Sequence, residues 1–330
     1  MGCLHRTLAR VTSYRAGDAA QPPAPGHPAG ASRAALIAAF AAVYVFWGST
    51  YLAIRFTLET IPPFLFAGVR FLVAGALLYA WSARRAPRPT AVHWRSAAIV
   101  GALLLLGGNG SVVWAQQRVP SGLAALLVAT EPLWIVLLAT AMGRERLGPA
   151  GLFGVIMGFA GVALLVGPLP FASGEPVELL GAVVIVLAAA LWAIGSLYSR
   201  EAPQPASQSL STAMSMLAGG ALLLLAAAVA GDFGRLDPGA ISLKSALALV
   251  YLIIFGSLIA FSCYLWIMKA ATPARASTYA YVNPLIAVVL GWLLAGEAMS
   301  PRVILSAGVI VTAVALIIAR KPGGAGPTGS

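Results

Sequence analysis

At 330 residues the chain is long enough for two soluble domains, yet 60% of it is hydrophobic, 9% is charged and its mean hydropathy is +0.89. So few charges cannot cover two soluble surfaces, and the composition is that of a polytopic membrane protein. The formal charge of +11 reads as a topology signal and not as a nucleic-acid patch.

Residues 1–33 carry Arg6, Arg10, Arg15 and Arg33 around a QPPAPGHP stretch, and a disordered cytoplasmic tail is expected there. No apolar core precedes residue 34, so a cleavable signal peptide is not expected. Met1-Gly2-Cys3 is followed by Arg6 where a myristoylation signal needs Ser or Thr. Apolar runs then recur at 34–54, 64–82, 96–115, 121–141, 149–167, 178–199, 208–230, 245–267, 272–294 and 300–319. Each has about the length that a ~30 Å hydrocarbon core requires at ~1.5 Å per residue. With both termini inside, fifteen Lys and Arg residues fall in cytoplasmic segments and five in outer ones, while Arg70 lies within the second run. This asymmetry predicts an N-inside, C-inside chain of ten spans in the plasma (inner) membrane.

The chain repeats itself. At an offset of 152 residues, Trp114 falls on Trp266, Glu131 on Asn283, Pro132 on Pro284 and Glu145 on Glu297. At an offset of 145, Trp47 and Arg55 fall on Trp192 and Arg200. Five spans per repeat place the second repeat upside down relative to the first, so Pro132 and Pro284 both come to mid-membrane. The expected organisation is a first repeat over 34–167, a linker at 168–177, a second repeat over 178–319 and a cytoplasmic tail at 320–330. Inverted repeats with interrupted helices meeting at the midplane point to an alternating-access carrier.

Proline removes one backbone hydrogen bond and clashes with the carbonyl one turn back, so Pro132 and Pro284 are expected to kink their helices around a chamber. Glu131 and Arg70 are the ionisable residues well inside the spans, where a charge costs about 2.5–3.5 kcal/mol and needs a partner or water. Two readings stay open: a static ion pair, or a carboxyl that binds a proton or a cationic substrate in alternation. Asn109, in GGNGS, and Asn283 offer both donors and acceptors. Trp47, Tyr51, Trp114, Trp192, Trp266, Tyr279 and Tyr281 are candidates to line an amphipathic cavity; the interfacial aromatic belt is the favoured reading for Trp47 and Trp114, whereas Tyr281 lies deeper and fits the cavity better. The substrate-binding set is therefore Tyr51, Arg70, Asn109, Glu131, Trp192, Tyr281 and Asn283. Gly151, Gly154, Gly158 and Gly161 share one helix face, for packing within the chain or at a homodimer seam. Glu145 and Glu297, just past two helix ends, suggest a helix-end role.

Other classes find little support. His5, His27 and His93 lie outside the apolar runs, so no intramembrane metal site and no cofactor is expected. The spans contain neither His nor Asp, which argues against an intramembrane enzyme. A non-transporting membrane sensor or assembly protein is the alternative, but the tails are too short for a signalling domain. The expected partners are the lipid bilayer, a small organic solute and protons, and no nucleic acid.

FWGSTYLAIRF, PPFLFAGVRFLVAG and VPSGLAALLVATEPLW, the last followed by Gly143-Arg144-Glu145, resemble the EamA-type transporters of the drug/metabolite transporter superfamily. The resemblance covers about residues 34–319. It implies ten helices in two inverted repeats, a central cavity, and export of small organic solutes such as amino acids, metabolites or drugs. It also carries over Arg70 as the arginine of the second span and Glu145 and Glu297 as the acidic residues after the fourth and ninth. Glu131 departs from the family pattern, in which an apolar or small polar residue precedes this proline.

Overall fold

The computed structural model describes residues 33–142, 148–166, 178–270 and 278–319. These residues are helical, with no strand among them. In chain order the long helices are α1 (Arg33–Leu58), α2 (Pro63–Ser82), α3 (Ala91–Ala115), α4 (Ser121–Ala141), α5 (Pro149–Val166), α6 (Leu179–Glu201) and α7 (Gln208–Val229), followed by α8 (Leu243–Tyr264), α9 (Tyr279–Ala295) and α10 (Pro301–Ala319). The last turns of α8 run on through Ser262–Ala270. Seven of them, α1 to α4 and α6 to α8, are long and apolar enough to cross a membrane. Shorter apolar stretches lie in α5, α9 and α10. Leu187, Leu225, Val229 and Leu294 point outward while Thr57, Arg70, Glu131 and Ser257 are buried. Apolar side chains on the outside and polar ones within are what a hydrocarbon surrounding demands.

Local chemistry sets the helix ends. Pro63 opens α2, where a missing N–H costs nothing. The next two amides, Phe64 N and Leu65 N, donate to the buried Asp232 carboxylate at 2.8 and 3.1 Å. Thr90 and His93 form a reciprocal capping box at the start of α3. Gly296 ends α9 in the left-handed conformation, φ 65°, which turns the chain back and presents Glu297.

The two prolines act differently. Around Pro132, α4 divides into Ser121–Val128 and Glu131–Ala141, with Ala129 and Thr130 in a turn between them. Around Pro284, α9 continues unbroken from Tyr279 to Ala295. So only the first of the expected kinks is a break. In the turn, the Thr130 hydroxyl donates to Leu127 O, whereas the position that matches Thr130 before Pro284 is Val282.

Three helices widen into π-helical turns: Val43–Trp47 in α1, Gly101–Gly110 in α3 and Leu252–Phe261 in α8. The last two are each ten residues long and lie one residue from the 152-residue repeat offset. Such turns push a residue out of the ordinary helical register and gather at functional sites.

The four glycines on one face of α5 are all buried. A Cβ at Gly158 would meet Leu133 of α4, and one at Gly161 would meet Ile310 of α10. At Gly158 and Gly161 this face is filled by packing within the chain. Glu145 lies outside the described residues, as do residues 1–32 of the expected N-terminal tail, the linker and the C-terminal tail.

Candidate substrate cavity

One cavity sits where α1, α2, α3, α4, α6, α8 and α9 converge, and it holds about 90 Å³ of free space. Tyr51, Arg70, Asn109, Glu131, Trp192 and Asn283 all line it. Tyr281 is a residue of α9, but its side chain lies outside the described residues. The repeat register is visible in the lining. Glu131 and Asn283 face the same space, and so do Asn109 and Phe261, which are also 152 residues apart.

Arg70 and Glu131 are each 3% exposed, yet no ion pair joins them. Similar depth brings both to one cavity, but each turns to a different helix. Arg70 Nε donates to Ser257 Oγ of α8 at 2.7 Å, and its guanidinium lies 4.7 Å from the Phe71 ring centroid. Gly256 makes room for it, since a Cβ there would stand 2.9 Å from Arg70 Nη2. The carbonyl of the same glycine accepts a 3.1 Å bond from Trp47 Nε1. Glu131 Oε2 accepts a hydrogen bond from the Tyr279 hydroxyl of α9. Each charged group keeps an atom without a protein partner: Arg70 Nη1 and Glu131 Oε1. The same holds for Asn109 Oδ1 and Asn283 Oδ1. A buried polar atom left in this state is costly unless water or a solute completes it.

Aromatic rings pack alongside these groups. Trp47 lies 4.8 Å from Tyr264, 5.4 Å from Tyr279, 6.2 Å from Trp192 and 6.3 Å from Phe261, centroid to centroid. The Trp47–Trp192 and Trp47–Tyr279 contacts are edge-to-face, the geometry favoured by ring quadrupoles. This corrects the belt assignment of Trp47. The π-helical turn at Val43–Trp47 swings its ring inward, where it meets its own repeat counterpart. Trp114 does sit at a helix end, with Arg118 stacked 4.3 Å above its ring. Phe261 and Tyr264 were not singled out by sequence, although Phe261 could have been found by adding the repeat offset to Asn109.

The two ends of the cavity differ. At one end, Glu297 closes a clasp across three helices. It accepts from Arg55 Nη1 of α1 at 2.6 Å, from Ser121 N and Oγ at 2.7 Å each and from Gly122 N at 2.9 Å. Its helix-end position is thus put to use on a different helix, capping the start of α4. Lys244 pairs with Glu59 at 2.5 Å on the same end, and Ser245 Oγ bonds Phe56 O at 2.7 Å. Toward the other end, a polar recess lined by Ser196, Arg200, Gln204, Gln208 and Ser211 reaches in as far as Phe261 and Tyr264.

Comparison with known proteins places this architecture. The EamA-like transporter family model matches residues 33–167 and again residues 179–319. The chain belongs to the EamA-like transporter family. Among relatives, this EamA-like transporter is 41% identical over 290 residues to YedA, an uncharacterized inner membrane transporter of Escherichia coli (strain K12), covering 87% of this chain and 91% of YedA. It is 23% identical over 271 residues to YoaV, an uncharacterized transporter of Bacillus subtilis (strain 168), covering 80% and 90% of the two chains. A solved crystal structure superposes with a TM-score of 0.61 at 25% identity, over 86% of this chain and 97% of the other. The protein is therefore a multi-pass inner membrane transporter, and among the described residues no group of three metal-ligating side chains comes together.

Proposed function

We propose that this transporter exports small organic solutes by alternating access around the cavity between its two halves. In this reading ten spans form two inverted five-helix repeats, over 34–167 and 178–319, with both termini in the cytoplasm. The observation that carries it is the convergence on one cavity of residues from both repeats, Glu131 with Asn283 and Asn109 with Phe261. The two separate family matches and the paired π-helical turns of α3 and α8 support the duplication. On the N-inside topology the Glu297 clasp lies at the outer face and the polar recess at the inner face, so this conformation opens inward. Tyr51, Arg70, Trp192 and Tyr281 complete the proposed binding set, and Glu131 is the proposed site of coupling to protons.

Uptake into inverted vesicles across a panel of metabolites and drugs, with and without an imposed proton gradient, tests this reading. Gradient-driven accumulation in wild type that is lost in Glu131→Gln is the expected result. Accumulation unchanged in the mutant would remove Glu131 from coupling, and flux of no panel member would overturn the exporter reading.

A further inference from the structure

The central cavity and the polar recess are separate spaces, and the one residue that lines both is Phe261. A proton bound for Glu131 from the inner face must cross the partition between them. That partition is not wholly apolar. We infer that three hydroxyls, those of Ser196 in α6, Tyr264 in α8 and Tyr279 in α9, form a proton relay that joins the recess to Glu131. This deepens the coupling reading of Glu131 above and rests on it.

The relay can be followed link by link. At the cavity end, the Tyr279 hydroxyl donates to Glu131 Oε2. Tyr279 and Tyr264 meet edge to face, with ring centroids 5.5 Å apart, and their hydroxyls are near enough to interact. The Tyr264 hydroxyl is near enough to Ser196 as well, and both of these residues line the recess. All four side chains are buried: Glu131 is 3% exposed, Tyr264 4%, Ser196 6% and Tyr279 8%. No hydrogen bond of ordinary length reaches Ser196 Oγ. The chain is thus closed at the carboxylate and loose at the serine, where water from the recess can bridge.

Hydroxyls suit this task because each one both donates and accepts. A proton taken up at Ser196 Oγ releases the serine's own proton to the Tyr264 oxygen. Tyr264 then passes its proton to Tyr279, and Tyr279 passes its proton to Glu131 Oε2. One proton leaves the recess, one reaches the carboxylate, and every hydroxyl is restored. The rings of Trp47 and Phe261 flank the middle of the path, with centroids 4.8 and 6.4 Å from that of Tyr264. The other titratable groups that share the cavity with Glu131 are Tyr51 of α1 and Arg70 of α2, while α3 and α6 add none to its lining. Neither Tyr51 nor Arg70 lines the recess. Ser196 and Tyr264, for their part, do not line the central cavity. Proton and solute therefore reach Glu131 by different routes.

Time-resolved infrared spectroscopy of the purified full chain in detergent tests the relay without any solute. Laser release of a caged proton starts the reaction, and the rise of the protonated carboxyl band follows Glu131. The band is assigned by its loss in Glu131→Gln. Tyr264→Phe and, separately, Ser196→Ala remove only a hydroxyl, and each is expected to slow the rise at least about tenfold. Ser196→Thr keeps the hydroxyl and is expected to restore the wild-type rate. Ser196→Ala changes a single buried oxygen, so the test stands on it if Tyr264→Phe fails to fold. A wild-type rate in Ser196→Ala and Tyr264→Phe would overturn the relay and leave Glu131 as the coupling site. Equal slowing in Ser196→Ala and Ser196→Thr would also overturn it, because the hydroxyl would not then be the group that matters. A wild-type spectrum without any carboxyl band that Glu131→Gln removes would overturn the coupling reading and the relay together.

Discussion

Replacing Glu297 by Ala removes four acceptor contacts at once, and the structure says how the cost divides. Two of the lost partners, Ser121 N and Gly122 N, are amides at the start of α4 that no residue within that helix can satisfy. Loss of a side-chain cap costs about 0.5–2 kcal/mol. The Arg55 contact adds less. The Glu297 side chain is 8% exposed but that of Arg55 is 40% exposed, so the pair is open to solvent screening and worth about 0–1 kcal/mol. Glu297→Ala should therefore cost about 1–3 kcal/mol, most of it from α4, and Arg55→Ala about 0.5 kcal/mol. At about 2–4 °C per kcal/mol, the first variant should lower the melting temperature by several degrees and the second by about one. Thermal denaturation of the purified protein in detergent, followed by tryptophan fluorescence, reads both. Glu297→Gln keeps one acceptor oxygen and should fall between them. An Arg55→Ala loss equal to that of Glu297→Ala would refute the reasoning, because the clasp would then be an ion pair and not a helix cap.

Two further substitutions test the packing that shapes the cavity. Gly256→Ala places a Cβ 2.9 Å from Arg70 Nη2 and 3.0 Å from Thr50 Cγ2, so it should displace the guanidinium and depress flux far more than it depresses the melting temperature; flux equal to wild type would show that this position of Arg70 is not required. Gly101→Ala meets the backbone of α7, at 2.6 Å from Gly219 N and 2.8 Å from Ser215 O, and should destabilise by about 1–3 kcal/mol, whereas Gly308→Ala, with open space around it, should be neutral in the same melting assay.

The helices and the cavity were legible in the sequence to different degrees. Composition and apolar run length locate α2, α4 and α7 to within a residue or so, because lipid allows few alternatives to a continuous apolar helix. The break in α4 was readable from Pro132, but the continuity of α9 through an equivalent proline was not. The π-helical turns had no sequence signature, and so Trp47 was placed at the interface when its ring points inward. The charges of Arg70 and Glu131 were found by their rarity. Their failure to pair was not foreseeable, because depth along a helix says nothing of which neighbour a side chain turns toward. Glu297 shows the same limit: its position after α9 was visible, but the helix it caps lies elsewhere in the chain.

Access to the cavity from both faces of the membrane tests the account most directly. With Cys3 and Cys263 replaced by Ser, a single cysteine at Asn283 would be exposed to a membrane-impermeant thiol reagent in right-side-out and in inverted vesicles. Labelling from either side, with a solute that shifts the balance between the two, is what a carrier alternating around this cavity predicts. Labelling from one face alone, unchanged by every solute, would contradict it.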